Sequence, residues 1–136
     1  NFKNKVANSL KEVGLNPDIY KRYPAEISGG MKKRVALARA IYKKPDVIIL
    51  DEPTTGLDPV NSDMINELIL RIIKKKKMTA ITITHDIQSA LKTGHNYHFL
   101  NEGVVEESGN CKKLLQSKNK YLNEFLLGVK NLQRNK

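Results

Sequence analysis

The chain has 136 residues, and its 24 lysines and arginines against 14 acidic residues give a formal net charge of +10 at pH 7. Hydrophobic residues make up 40% and charged residues 28%, a globular composition that excludes a wholly disordered chain. The apolar runs are too short to cross a bilayer, and the single cysteine, Cys111, excludes an internal disulfide framework and fits a reducing cytoplasm.

The excess of basic residues is a reason to consider a nucleic-acid partner, because lysine and arginine displace counterions from phosphates. Lysine outnumbers arginine by 19 to 5, and the densest cluster, residues 74–77, follows an amphipathic stretch at the expected end of a helix. Cations at that end are stabilised by the helix dipole. We therefore interpret the cluster as a solvated helix end and expect no nucleic-acid partner, while a role at a membrane surface stays open.

Helix and strand patterns alternate along the chain as far as residue 84. In chain order they predict a helix over residues 3–14, a helix over 31–43, a strand over 47–50, a helix over 60–73 and a strand over 79–84. The segment 47–50 is a continuous apolar run of β-branched character, which is typical of a strand buried on both faces. This alternation predicts an α/β fold with a mainly parallel sheet flanked by helices.

The pattern changes from about residue 97 onward. Two short apolar segments flank residues 101–103 (Asn-Glu-Gly), a turn signal, and together they predict a β-hairpin. Leucines and a phenylalanine then recur at helical spacing, so we expect short helices over residues 110–128.

Asp51 and Glu52 come directly after the first predicted strand. The carboxyl ends of parallel strands are where α/β sheets bind ligands. A carboxylate there suits Mg²⁺, which bridges to phosphates, and a second carboxylate can orient or deprotonate a water molecule. Two solvated carboxylates at a strand end would look the same, so the pair alone does not define a site.

Ser28, Gly29 and Gly30 open the second predicted helix, and His85 directly follows the second predicted strand. Glycines let a ligand approach the backbone closely, and the free N–H groups of a helix start attract anions. A histidine at the same edge of the sheet can donate to a phosphate oxygen or position a water molecule. The simpler alternatives are a helix cap for Ser28 and an ordinary loop residue for His85.

Taken together, these segments resemble the ATP-binding-cassette (ABC) ATPase family. Residues 27–31 (Ile-Ser-Gly-Gly-Met) resemble its signature loop, although the family normally has glutamine where this chain has Met31. Residues 47–52 resemble the Walker B strand, residues 56–58 (Gly-Leu-Asp) resemble the D-loop, and His85 resembles the switch histidine. The segments follow the family's order and spacing, which makes the resemblance specific.

The resemblance implies a P-loop NTPase-type ABC ATPase core that binds ATP and Mg²⁺ and hydrolyses ATP. It implies that Asp51 is the magnesium-side acid, that Glu52 is the catalytic base, and that His85 acts on the same nucleotide. A water molecule prepared by Glu52 would then attack the γ-phosphate in line.

The resemblance also implies partners for the chain. In this family two ATPase domains face each other head to tail, so one expected partner is a second copy of the domain. Ser28, Gly29 and Gly30 would reach the γ-phosphate held by that copy, and Asp58 of the D-loop would also contact nucleotide. Closing and reopening of the dimer would be passed to transmembrane permease subunits.

One element of the family is missing from the sequence. No Gly-x-x-x-x-Gly-Lys-Ser/Thr motif occurs, so the chain lacks the P-loop that cradles phosphates. We therefore expect a fragment, the C-terminal half of a nucleotide-binding domain, that is inactive by itself. Its expected parts are the end of the helical subdomain with the signature helix over 1–45, the core from Walker B to the switch histidine over 46–100, and a C-terminal hairpin with helices over 101–136.

The prediction of a substrate rests on two short features. Met31 in the signature loop and residues 123–129 in the tail resemble the ABC ATPases of bacterial phospholipid trafficking, the Mla or toluene-tolerance branch. This resemblance implies a peripheral protein at the cytoplasmic face of the inner membrane. It would be bound to a permease and linked to an MCE-domain lipid-binding protein.

Three alternatives stay open at this point. The chain could serve an ABC transporter for another substrate, or a non-transport ABC ATPase acting on ribosomes or DNA. Such non-transport proteins usually carry tandem cassettes or long insertions, and the stretch between Met31 and Asp51 contains no insertion. A plain basic binding module is the third, but it does not explain why Asp51, Glu52 and His85 all follow predicted strands.

Overall fold

The computed structural model describes the backbone of residues 1–134 and the side chains of residues 1–127. The chain forms two compact units, Asn1–Ile83 and Thr84–Lys136. Residues 135 and 136, at the end of the expected C-terminal segment, lie outside the described residues.

The first unit alternates helices and strands, as predicted. In chain order it contains α1 (Phe2–Glu12), α2 (Gly29–Ile41), β1 (Val47–Asp51), α3 (Pro59–Lys76) and β2 (Thr79–Ile83). Two short 3₁₀ turns, Pro17–Lys21 and Pro24–Glu26, occupy the predicted loop before α2.

The lysine cluster over 74–77 ends α3, which confirms its interpretation as a helix end. The helix runs to Lys76, three residues further than predicted, and Lys77 closes it with a φ of +53°. Lys76 forms an ion pair with Glu12 at the end of α1, with Nζ and Oε2 2.7 Å apart. The cations therefore offset the helix dipole, and one of them also ties α3 to α1.

Strands β1 and β2 form a two-stranded parallel sheet. Their register pairs Val47 with Thr79 and Asp51 with Ile83. Because the strands are parallel and end in register, the segments that follow them leave the sheet at the same edge.

The expectation that β1 is buried on both faces is wrong. Ile48 is 5% exposed and faces the core, whereas Val47 is 52% and Ile49 is 67% exposed. Ile81 and Ile83 of β2 lie on the same face as Val47 and Ile49, and they are 53% and 49% exposed. The helices of the first unit cover only the face that carries Ile48, so the other apolar face is open to solvent.

The core of the first unit lies between the helices and the covered face of the sheet. It is built from apolar side chains that are at most 8% exposed: Leu10, Val13, Leu15, Ile19, Leu37, Ala38, Ile41, Ile48, Ile65, Leu68, Ile69, Ile72 and Met78. Residues from α1, α2, α3 and β1 all contribute, so this core holds the ends of α2, β1 and α3 in place.

The second unit consists of a hairpin with three helical segments. In chain order it contains α4 (Ile87–Thr93), β3 (Asn96–Asn101), β4 (Val104–Asn110), a 3₁₀ turn (Cys111–Gln116) and α5 (Lys120–Arg134). The antiparallel hairpin confirms the prediction, and its two-residue loop, Glu102 and Gly103, has φ values of +47° and +80°. Two positive φ angles are what a type I′ hairpin turn requires.

Two helical segments confirm the helices predicted over residues 110–128. The 3₁₀ turn Cys111–Gln116 is short, whereas α5 has 15 residues and is longer than predicted. A small core joins it to the rest of the second unit through buried apolar side chains: Ile87, Leu114, Leu122 and Leu126. Helix α4 is an element that the apolar pattern did not predict.

None of the helices within the described part of the chain combines the length and the apolar character that crossing a membrane requires.

Candidate functional site

Asp51 and Glu52 lie where the two parallel strands end, as predicted. Asp51 is the last residue of β1, is exposed, and is opposite Ile83, the last residue of β2. The N–H group of Glu52 donates to the carbonyl of Ile83 over 2.9 Å, so Glu52 adds one more hydrogen bond to those between β1 and β2. The chain then turns sharply, because Glu52 has a φ of +46°.

A left-handed φ is unusual for a residue with a side chain and is found mostly in turns and at functional sites. Here the turn also fixes the carboxylate of Glu52. Thr55 donates from Oγ1 to Oε2 of Glu52 over 2.6 Å, and its N–H group donates to the carbonyl of Glu52 over 3.4 Å. Thr54, which is 4% exposed, anchors the turn in the protein. The carboxylate of Glu52 therefore has a defined direction.

The residues that open α2 form an exposed helix start. Ser28 is the N-cap, and its Oγ accepts a hydrogen bond from the N–H group of Met31 over 3.3 Å, which confirms the capping interpretation. Gly29 and Gly30 are the first two helical residues, whose N–H groups have no partner within a helix. These two groups are the donors that an anion would meet.

The packing of the first unit does not demand glycine at either position. A Cβ added to Gly29 would stand 3.5 Å from Leu57 Cδ2, and one added to Gly30 would stand 3.8 Å from Asn61 Oδ1. Both are ordinary contact distances, and neither glycine has a positive φ. What the glycines provide is an open approach to the helix start, which suits a ligand.

Asp58 is the N-cap of α3. Its Oδ1 accepts from the N–H group of Asn61 over 3.0 Å, and its Oδ2 accepts from the side-chain amide of the same residue. These hydrogen bonds, the side-chain one first, hold the pKa of Asp58 below its usual value. Asp58 therefore serves as the cap of α3, and its contact with nucleotide stays a prediction.

A contact between α2 and the turn after β1 was missed by the sequence analysis. The Nζ atom of Lys33 donates to the carbonyl oxygen of Glu52 over 2.8 Å. Leu57 and Asn61 are the side chains that an added Cβ on Gly29 or Gly30 would meet, so the start of α2 lies beside the segment 52–61. The first unit thus brings together Ser28, Gly29, Gly30, Glu52 and Asp58, while no sequence signal distinguishes Lys33 from the lysine before it.

His85 belongs to the second unit and is exposed. Strand β2 ends at Ile83, one residue earlier than predicted, so His85 follows its last residue by two positions rather than directly. The next residue, Asp86, caps α4: its Oδ1 accepts from the N–H groups of Gln88 over 2.9 Å and Ser89 over 3.3 Å. The cap orders the chain directly after His85, and the catalytic role of His85 stays a prediction.

The described residues fit Mg²⁺ only as part of a larger site. They contain no group of three or more His, Cys, Asp or Glu side chains that could hold a metal ion. Asp51 offers one exposed carboxylate, and Mg²⁺ is commonly bound through one or two carboxylates, with phosphate oxygens and water as its other ligands. Asp51 is therefore compatible with a magnesium-bound nucleotide that is held mainly by other groups.

Comparisons with known proteins agree with this arrangement. The model of the family described as ABC transporter matches residues 1–55. The energy-coupling factor transporter ATP-binding protein EcfA2 of Bacillus cereus is 36% identical over 112 residues, or 82% of this chain. The glycine betaine/carnitine transport ATP-binding protein GbuA of Listeria monocytogenes is 37% identical over 125 residues, or 91% of this chain. The chain spans only 38% and 31% of the lengths of these two relatives.

Solved structures extend the similarity to the fold. The ADP conformation of the ATP-binding cassette MJ1267 matches 92% of this chain with a TM-score of 0.78 and 26% identity, over 49% of its own length. A dimeric post-hydrolysis state of the cassette MJ0796, bound to ADP and Pi, matches 79% of this chain with a TM-score of 0.69 and 30% identity, over 46% of its own length. The chain therefore has the α/β fold of part of an ATP-binding cassette, as predicted.

Proposed function

We propose that the full-length protein containing this chain is the ATP-hydrolysing subunit of an ABC transporter. The observation that carries this proposal is the turn after β1. It joins an exposed Asp51 to a Glu52 whose backbone and carboxylate are both fixed, at the carboxyl edge of a parallel sheet. The similarity to ATP-binding subunits of transporters over most of the chain supports the same function.

Asp51 and Glu52 would have different roles at the phosphate. Bound Mg²⁺ would neutralise charge on the phosphate oxygens, and Asp51 would hold it on the protein side. Glu52, aimed by Thr55, would orient a water molecule and accept its proton, a contribution worth about 10²–10⁴-fold in rate. His85, two residues beyond β2, would donate a hydrogen bond to a phosphate oxygen.

The start of α2 would serve the nucleotide of a second copy. Gly29 and Gly30 present unpaired N–H groups at the positive end of a helix, and these stabilise a phosphate without a side-chain cation. A head-to-tail dimer would place this helix start against nucleotide held by the partner. One matched cassette structure is described as dimeric and bound to ADP and Pi, which supports a dimer that binds nucleotide.

The dimer would drive a membrane partner. We propose that transmembrane permease subunits respond to its closure and reopening, and that the ATPase sits peripherally at the cytoplasmic face of the bacterial inner membrane. Both relatives described above carry transporter names, which supports a transport function over action on ribosomes or DNA. Co-purification with a membrane permease tests this preference, and co-sedimentation with ribosomes instead would contradict it.

A phospholipid substrate with an MCE-domain partner rests on Met31 and residues 123–129, of which 128 and 129 lie outside the described side chains. The relatives carry names that refer to energy-coupling factor and glycine betaine/carnitine transport. Lipid trafficking therefore stays a proposal, to be tested by ATPase stimulation with phospholipid vesicles in the purified complex with its permease.

The substitution Glu52→Gln tests the ATPase proposal in the full-length protein. Loss of the base should allow ATP to bind without being hydrolysed, so ATP should trap a stable dimer in size-exclusion chromatography with light scattering. Glu106→Gln is the matched control, because Glu106 is an exposed glutamate on β4. A Glu52→Gln protein that stays monomeric with ATP, as the control does, would contradict the proposal.

A further inference from the structure

Glu52 is held in its left-handed conformation from three directions. Its N–H group donates to the carbonyl of Ile83 over 2.9 Å, and its carboxylate accepts from Thr55 Oγ1 over 2.6 Å. Its carbonyl oxygen accepts from Lys33 Nζ over 2.8 Å. The first two contacts come from the end of β2 and from the turn itself, whereas the third comes from α2, nineteen residues earlier in the chain.

The contact from Lys33 bears on the unusual φ of +46° at Glu52. Such a φ persists in a residue with a side chain only where the surroundings hold it. A lysine donor is charged, and hydrogen bonds from charged donors are stronger than neutral ones. Because the contact is partly buried, water competes less for the carbonyl oxygen of Glu52. Lys33 is therefore suited to stabilise the peptide orientation that aims the carboxylate.

Lys33 also belongs to the helix whose start is open to a ligand. It lies five residues after the N-cap Ser28, in the same rigid helix as Gly29 and Gly30. A displacement of the start of α2 would therefore move Lys33 against the carbonyl oxygen of Glu52. The other lysine in this turn, Lys32, is exposed, and its side chain makes no hydrogen bond or ion pair within the described residues.

We propose that Lys33 is a positioning residue that holds the Glu52 turn in its reactive geometry and couples it to the start of α2. The inference rests on the proposed role of Glu52 as base. In the head-to-tail dimer, α2 would touch the nucleotide of the partner while Glu52 acts on the nucleotide of its own domain. Lys33 would thus connect the two nucleotide sites of the dimer within one polypeptide chain.

The substitution Lys33→Met tests the proposal in the full-length protein, because it keeps the length of the side chain and removes its donor. We expect kcat for ATP hydrolysis to fall by about 10- to 100-fold, the effect of a misplaced catalytic group, while the KM for ATP is unchanged. Lys33→Arg keeps a charged donor and should restore most of kcat. Lys32→Met is the matched control and should behave as the unmodified protein.

Each outcome separates this inference from the proposed function. If Glu52→Gln abolishes hydrolysis while Lys33→Met keeps the normal kcat, the role of Lys33 is wrong and that of Glu52 stands. If Glu52→Gln keeps turnover, the proposed role of Glu52 as base fails, and the inference about Lys33 fails with it. An equal fall in Lys32→Met would overturn the inference because charge alone would then explain the effect, and a Lys33→Met protein that no longer folds would overturn it because Lys33 would then act through stability. A fall in kcat that Lys33→Arg does not restore would also overturn it, because a charged donor at this position would then not be what holds the turn.

Discussion

Gly94 lies between α4 and β3, where its neighbours leave no room for a side chain. An added Cβ would stand 2.6 Å from Cys111 Sγ and 2.7 Å from the carbonyl oxygen of Ala90. The φ of Gly94 is −84°, so the restriction is steric rather than conformational. Because one of the neighbours is backbone, relief of the clash requires the chain itself to move.

We therefore predict that Gly94→Ala destabilises the protein by about 1–3 kcal/mol, the usual range for overpacking. Gly30→Ala is the matched control, because its Cβ would meet only Asn61 Oδ1 at 3.8 Å. Urea denaturation followed by circular dichroism gives both values. Equal midpoints for the two variants would contradict the steric explanation.

Tyr97, Glu107 and Ser117 form a hydrogen-bonded group in the second unit. Tyr97 donates its hydroxyl to Oε1 of Glu107, and Ser117 donates to Oε2 over 2.7 Å. These bonds, the one from Tyr97 first, lower the pKa of Glu107. Burial, followed by the bond to Glu107, raises the pKa of Tyr97 from 10.0 to about 12. The group is therefore most stable between the two titrations.

The pH dependence of stability follows from these directions. The lowered pKa of Glu107 means that its contribution is present above its pKa in the unfolded chain and is lost as pH falls through its folded value. The raised pKa of Tyr97 means that its contribution is lost as pH rises from 10.0 to about 12. We predict that Glu107→Gln flattens the acid limb of a thermal-unfolding profile against pH. An acid limb unchanged by the substitution would refute this assignment.

At the scale of secondary-structure elements, the β1–β2 sheet is the least complete part of the structure. Parallel sheets are normally covered on both faces. Here Val47, Ile49, Ile81 and Ile83 leave one face apolar and exposed, in a chain that spans about half of each matched cassette. We expect this face to bind hydrophobic surfaces when the 136-residue chain is studied by itself.

The two faces of β1 allow a matched test of this expectation. Ile49, 67% exposed, should tolerate replacement by threonine, which keeps the β-branch and should lower the binding of a hydrophobic dye. Ile48 is 5% exposed and should not tolerate the same replacement. Ile48→Thr should lower the free energy of unfolding by about 2–4 kcal/mol, because a core methyl group is lost and a hydroxyl is buried. Equal dye binding by Ile49→Thr and the unmodified chain would contradict the role of this face.

Elements with strong periodic patterns were predictable, and those set by tertiary contacts were not. Helix α3 and strands β1 and β2 appeared where apolar spacing placed them. Helix α4 has only seven residues, too few for a clear helical period, and the cap at Asp86 was its one signal. The open face of β1 escaped prediction because an apolar run does not reveal which side its neighbours cover.

The candidate site also has features that the sequence predicts and features that depend on tertiary contacts. Asp51, Glu52, Ser28 and the glycines after it could be located from motif order, since short segments carry that information. The conformation of Glu52 and its contact with Lys33 could not, because they depend on packing between residues nineteen positions apart. A positive φ at a glutamate is also against its local preference, so only the folded chain reveals it.

At the scale of the whole molecule, the charge of +10 has a structural explanation in its densest cluster. Lys74, Lys75 and Lys76 lie in the last turn of α3, where cations are stabilised, and Lys76 pairs with Glu12. This use of lysine needs no nucleic-acid partner. The chain is similar to ATP-binding proteins of transporters over most of its length, which favours nucleotide phosphates as the ligand instead.

The central claim is that Glu52 is the base of an ATPase in the full-length protein. Single-turnover hydrolysis of labelled ATP by that protein and by its Glu52→Gln variant tests this claim most directly, because dimer reopening and product release do not enter the rate. We predict that the substitution slows hydrolysis by about 10²–10⁴-fold while the amount of ATP bound is unchanged. Hydrolysis by the Glu52→Gln protein at the unmodified rate would contradict the account.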